Sequence, residues 1–123
     1  MAAYNWIIVP GECPVCRSTT SIKCQTHVAS SYSGFFMDRF LHNEYRLGEP
    51  MQWWAKDHPW YSEWRIQSRK SEEPDVAFNE EACYSTCTAC GAELCVVIRF
   101  HECVPEEVLQ ISRQKDWPAG YLK

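Results

Sequence analysis

Two short cysteine turns constrain this chain more than anything else in it: "CPVC" at 13–16 and "CTAC" at 87–90, separated by the 70 residues 17–86. A Cys-x-x-Cys turn presents two soft ligands from one tight loop, and two such turns supply the four that a tetrahedral thiophilic ion requires. Cys13, Cys16, Cys87 and Cys90 are therefore the expected ligands of one structural Zn²⁺. The competing use of the motif is redox. It needs a helix opening at the first cysteine, whose N-terminus lowers the thiol pKa. Here Cys16 runs into "RSTTSIKCQT", which is rich in β-branched residues and poor helix material. The metal reading is the stronger one.

The flanks support it. "NWIIV" (5–9) is a short apolar strand leading into the first turn. "TTSIKCQTHVAS" (19–30) alternates, with Ile22, Cys24, Thr26 and Val28 on one face and Lys23, Gln25 and His27 on the other. "ACYST" (82–86) enters the second turn. "GAELCVVIRFHE" (91–102) leaves it as the clearest strand, with Leu94, Val96, Ile98 and Phe100 on one face and Cys95, Val97, Arg99 and His101 on the other. Gly91 follows the second turn where a positive φ is often required. Over Cys13–Arg17 and Cys87–Gly91 the chain resembles the zinc-ribbon and rubredoxin-like knuckle pattern. It departs from that pattern in having Arg17 where glycine is usual, and in its long spacing. The resemblance implies a ribbon carrying a large β insertion.

Between the knuckles, "EYRLGEPMQWW" (44–54) reads as two extended pieces around a turn at Gly48 and Pro50. "DHPWYSEWRIQ" (57–67) fits a short helix capped by Asp57 or an alternating strand, and its aromatic content favours the strand. "IQSRKSEEPD" (66–75) reads as a loop. "PEEVLQISRQ" (105–114) reads as a short helix, with Pro105 at its start and Glu106 and Glu107 in the first turn. The expected fold is β-rich with a minor α component: one domain, 1–123, built as a small antiparallel sheet. Its parts are the insertion 17–86, the knuckles, a C-terminal strand and one or two short helices.

Four cysteines remain. Cys24 and Cys95 fall inside strands and read as small buried hydrophobes. Cys83 and Cys103, with His101, leave a second metal site or a ligand exchange open. Catalysis is not expected. A hydrolytic zinc site keeps an open position and uses His or carboxylates, whereas an all-Cys site is closed and structural. His27, His42, His58 and His101 are scattered, and phosphate loops and nucleophile elbows are absent.

The chain carries 12 Lys and Arg against 16 Asp and Glu, a formal charge of −4. Four thiolates holding one Zn²⁺ would take it to roughly −6. That balance argues against a phosphate-backbone binder and suits a basic protein partner. "WWAKDHPWYSEW" (53–64) packs four Trp and a Tyr into twelve residues, and is read either as core or as an interface. Trp54, Trp60 and Trp64 are the candidate anchors, with Glu49, Asp57 and Glu63 as steering charges. The expected function is a non-catalytic, zinc-stabilised protein–protein interaction module. In size and charge it is similar to bacterial immunity proteins that mask basic toxin domains. A zinc-containing accessory subunit of a larger enzyme and a transcription-associated ribbon are the alternatives. "MAAYNWIIVPGE" shows no basic leader and the longest apolar run is "LCVVI" (94–98), so a cytoplasmic protein without membrane or nucleic-acid partners is expected.

Overall fold

The computed structural model describes residues 4–31, 40–65 and 78–116. Six strands form one sheet: β1 (Asn5–Glu12), β2 (Thr19–Thr26), β3 (Glu44–Arg46), β4 (Phe78–Thr86), β5 (Glu93–His101) and β6 (Val104–Arg113). Their spatial order is β3-β1-β2-β4-β5-β6. All neighbours are antiparallel except β3, which pairs with β1 in parallel over three residues. The fold is β-rich, as its alternating runs imply, and no helix of the described residues is long and apolar enough to cross a membrane.

The sheet curls until its ends meet. Past β3, the Gly48 N–H donates to the Pro105 carbonyl (2.7 Å) and the Met51 N–H to the Cys103 carbonyl (2.8 Å), tying the β3 end to the start of β6. Gly11 in β1 sits so close to β6 that a Cβ there would lie 2.6 Å from Ile111 Cδ1. The concave face holds the core: Ile7 and Val9 from β1, Ile22 and Cys24 from β2, and Leu94, Val96, Ile98 and Phe100 from β5. Both alternating faces read from the sequence are seen. β5 goes further, because Cys95 and Val97 on its other face are also buried, against Ala82. A strand flanked by β4 and β6 can bury both sides.

Three elements differ from expectation. Residues 105–114 are strand and a final 3-10 turn, not a helix. Two bulges explain the misreading. Pairing jumps from Phe100↔Pro105 to Arg99↔Glu107, and from Ile98↔Val108 to Val97↔Gln110, so Glu106 and Leu109 are extra residues. Each extra residue stretches the apolar repeat from two to three. Pro105, Val108 and Ile111 then face inward at the spacing of a helical stripe. The second correction is at 57–67, where the described part is a 3-10 helix, Tyr61–Arg65, rather than a strand. Its entry is set by i+3 bonds from the Tyr61 N–H to the His58 carbonyl and from the Glu63 N–H to the Trp60 carbonyl, both 3.1 Å. Third, of the two extended pieces in 44–54 only Glu44–Arg46 is a strand. The turn after it carries Gly48 at φ +87. The loop read at 66–75 lies outside the described residues.

Asn5, fully buried in β1, was not singled out from the sequence. Its Nδ2 donates to the Ala29 carbonyl (2.9 Å) and its Oδ1 accepts the Asn43 N–H (3.0 Å), so one amide pins two crossing loops.

Candidate metal centre

The two knuckles are near copies. β1 and β2 flank the six residues 13–18, and β4 and β5 flank 87–92. In each, the first cysteine N–H donates to the carbonyl five residues on: Cys13 to Ser18 (3.0 Å) and Cys87 to Ala92 (2.9 Å). Its carbonyl accepts the N–H four residues on, from Arg17 (2.9 Å) and Gly91 (2.8 Å). Backbone amides then turn onto the first sulfur. Val15 N–H reaches Cys13 Sγ at 3.3 Å, and Ala89 N–H reaches Cys87 Sγ at 3.4 Å. Arg17 takes φ +65 and Gly91 φ +77. The closing position of this turn is left-handed in both copies, which is why the usual residue there is glycine.

The hairpins stand side by side and bring Cys13, Cys16, Cys87 and Cys90 together, with every Sγ within 4.8 Å of the others. Cys13–Cys90 and Cys16–Cys87 are each 3.8 Å apart. Those spacings are far from the about 2.05 Å of a disulfide. They match the edge of about 3.8 Å of a tetrahedron whose centre is about 2.3 Å from each sulfur. All eight cysteines are free thiols, and these four can hold one metal ion.

Hydrogen bonds and close neighbours shift three of these thiols in different directions. The Ser18 side-chain and backbone hydrogen bonds bring Cys16 down to about 6. The Cys16 N–H lowers Cys13 as well. The Ala92 N–H acts in the same direction on Cys90, but burial and the neighbouring thiols of Cys16, Cys87 and Cys13 outweigh it and push Cys90 up to about 12. Four sulfurs this close leave little room for four negative charges, and a central cation removes the conflict.

The other cysteines are of a different kind. Burial pushes Cys24 and Cys103 up to about 12 and Cys95 to about 11, and raises Cys83 well above its ordinary value. They are protonated core residues. Cys83, Cys103 and His101 do not gather, and among the described residues no second group of three or more His, Cys, Asp or Glu could hold an ion.

The tryptophan segment divides. Trp64 is 4% exposed and belongs to the core, the first of the two readings open for the segment. Trp54 is half-buried, and Trp60 is 50% exposed. They form one stack: Phe40 meets Trp54 edge-on (4.8 Å), His58 lies flat on Trp54 (4.3 Å) and Trp60 meets Trp54 edge-on (5.4 Å). The Trp60 N–H donates to His58 Nδ1 (3.1 Å), which fixes the turn carrying the exposed ring. Asp57 and Glu63 beside it are exposed. Glu49 is committed locally, its Oε1 accepting the Arg46 N–H (2.9 Å).

One buried acid was not found from the sequence. Glu81 Oε1 accepts the Thr26 hydroxyl (2.6 Å) and the His27 N–H (3.1 Å), and its Oε2 has no hydrogen-bond partner among the described residues. Burial holds its pKa above the ordinary carboxylate value, against the opposing pull of those donors. Glu80 and Glu81 look alike in "FNEEACYST"; only the register of β4 sends Glu81 inward.

No family model, curated protein or solved structure matches this chain.

Proposed function

We propose that the chain is a non-catalytic protein-interaction module, stabilised by one structural Zn²⁺ on Cys13, Cys16, Cys87 and Cys90. Its partner is a basic protein, and its action is of the inhibitor or immunity type, masking a domain such as a toxin. Four thiolates complete a tetrahedral shell and leave no open position for a substrate, which favours a structural over a catalytic ion. The observation that carries the interaction reading is Trp60, half exposed on an aromatic stack that its hydrogen bond to His58 keeps in place. A rigid, exposed Trp beside two acids suits a hot spot for a cationic surface. Trp54 supports it from below, and Asp57 and Glu63 supply the charge.

The test has two parts. Protein purified without chelator should carry one zinc per chain, and Cys87→Ser should lose it. Full-length chain should then capture a basic partner, and Trp60→Ala should weaken that complex by about 2 kcal/mol or more with the fold intact. A complex indifferent to both Trp60→Ala and Asp57→Asn/Glu63→Gln would reject this surface. A partner that proves to be the large subunit of an enzyme would favour the accessory-subunit alternative.

A further inference from the structure

The two knuckle hairpins are joined by a weak seam. β1–β2 has eight registered pairs and β4–β5 nine, whereas β2–β4, which connects them, has one, Gln25↔Tyr84. Side-chain hydrogen bonds supplement that pair. The Ser85 hydroxyl donates to the Lys23 carbonyl (2.8 Å), and Glu81 accepts from Thr26 and His27. At the knuckle end, the sulfur cluster spans the seam.

The sulfurs are also unequally placed. Cys13 and Cys87 are buried, while Cys16 and Cys90 are exposed. Each exposed sulfur touches the buried sulfur of the opposite knuckle: Cys16 with Cys87 and Cys90 with Cys13, at 3.8 Å. Within a knuckle, the first sulfur is engaged by amides of its own turn, at Val15 and Cys16 in one and Ala89 in the other.

We infer that this staple is redox-exchangeable: a peroxide converts the metal-held cluster into two cross-knuckle disulfides, Cys16–Cys87 and Cys13–Cys90, and expels the ion while the hairpins stay tied. The inference rests on the metal reading above. In the first step an exposed thiolate, Cys16 or Cys90, attacks one peroxide oxygen. The O–O bond breaks, hydroxide leaves and the sulfur becomes a sulfenic acid. The buried thiolate in contact with it then attacks that sulfur and expels a second hydroxide, forming the S–S bond. Protons from solvent turn both hydroxides into water. For the whole site, one Zn²⁺ with four thiolates, two H₂O₂ and four protons give two disulfides, free Zn²⁺ and four waters. Closing each contact from 3.8 Å to about 2.05 Å asks for a shift of under about 2 Å. A seam with one ladder pair offers little resistance to it.

The test uses full-length reduced chain loaded with one equivalent of zinc, its content measured first. Hydrogen peroxide is titrated in the presence of a chromogenic chelator, and the oxidised chain is digested without reduction and mapped by mass spectrometry. The expected result is one zinc released per two peroxides consumed, with 16–87 and 13–90 linked peptides and Cys24, Cys83, Cys95 and Cys103 still reduced. The oxidised chain should melt well above reduced chain stripped by chelator. Failure to take up zinc at the outset would remove the metal reading and this one together. Uptake followed by 13–16 and 87–90 linkages, by sulfinic acids, or by zinc that stays bound would overturn this inference alone.

Discussion

Arg17 and Gly91 occupy the same place in two copies of one turn, at φ +65 and +77, and only one of them is suited to it. A side chain in the left-handed region costs roughly 1–2 kcal/mol. A glycine there relieves that strain but gives back about 0.4–1 kcal/mol through the freer unfolded chain. Arg17→Gly should therefore raise stability slightly, by up to about 1 kcal/mol. Gly91→Ala should lower it by a similar amount, up to about 1 kcal/mol, through the backbone, since beyond its chain neighbours nothing lies within 4 Å of the added Cβ. Urea titrations of metal-loaded protein measure both, and opposite signs are the result expected of one turn geometry present twice; equal signs would show that the knuckles are not equivalent turns. Glu81 offers a second residue-scale prediction. Its folded pKa is raised, first by burial, so the folded state binds the proton more tightly than the unfolded chain does. Its contribution is fully present below the unfolded carboxylate pKa, about 4.3, and is lost as pH rises through the higher folded value. Glu81→Gln keeps an acceptor for Thr26 and His27 and removes the titration. Melting profiles of the two proteins from pH 4.5 upward should converge at the acid end, with wild type falling progressively below the variant. Parallel profiles would contradict a buried, titrating Glu81.

At the scale of elements, what the sequence shows and what it hides follow from whether a repeat is unbroken. β2 and β5 keep a strict period of two, so Ile22, Cys24 and Thr26, and Leu94, Val96, Ile98 and Phe100, are placed on the correct face by counting. The knuckles are legible because four ligands must converge whatever the intervening chain does. β6 is not legible, because its bulged residues Glu106 and Leu109 exist only with reference to the partner strand. Pro105, Val108 and Ile111 taken alone are a helix pattern. Trp64 and Trp60 are equally aromatic and four residues apart; the 3-10 geometry that turns one inward and the other outward is set by the His58 and Trp60 hydrogen bonds. That division predicts mutant behaviour. Trp64→Ala should cost about 3–5 kcal/mol of stability, as truncation of a buried aromatic does. Trp60→Ala should change it by less than about 1 kcal/mol, because half of its ring is already in water. Thermal melts of the two variants check this directly, and an early-melting Trp60→Ala would make the exposed stack structural rather than a docking point.

Across the whole molecule, two ladders and a staple set the order in which structure should be lost. β4, β5 and β6 share nine and eight registered pairs and hold most of the strand core, so they form one cooperative block. β1 and β2 form a second block of eight pairs, with three more to β3. Between the blocks run the single Gln25↔Tyr84 pair, the Ser85 and Glu81 side-chain bonds and the sulfur cluster, with the Gly11–Ile111 approach and the Gly48–Pro105 and Met51–Cys103 backbone bonds at the far edge. An ion on the four cysteines closes the long 17–86 segment, and its binding energy is therefore folding energy. Removing it leaves four crowded thiols that repel or must share protons at that end of the seam. Chelation in reductant is expected to lower the melting midpoint and to expose amides unevenly. Protection from hydrogen exchange should fall first at 13–18 and 87–92, next along β2 at the seam, and last in β5, which is paired on both sides and buried on both faces. Zinc added back to one equivalent should restore the knuckle amides in a single step. Simultaneous loss at β5 and at the knuckles would mean that the ion holds the entire sheet rather than its seam, and unchanged protection at 13–18 and 87–92 would mean that the knuckles stand without it.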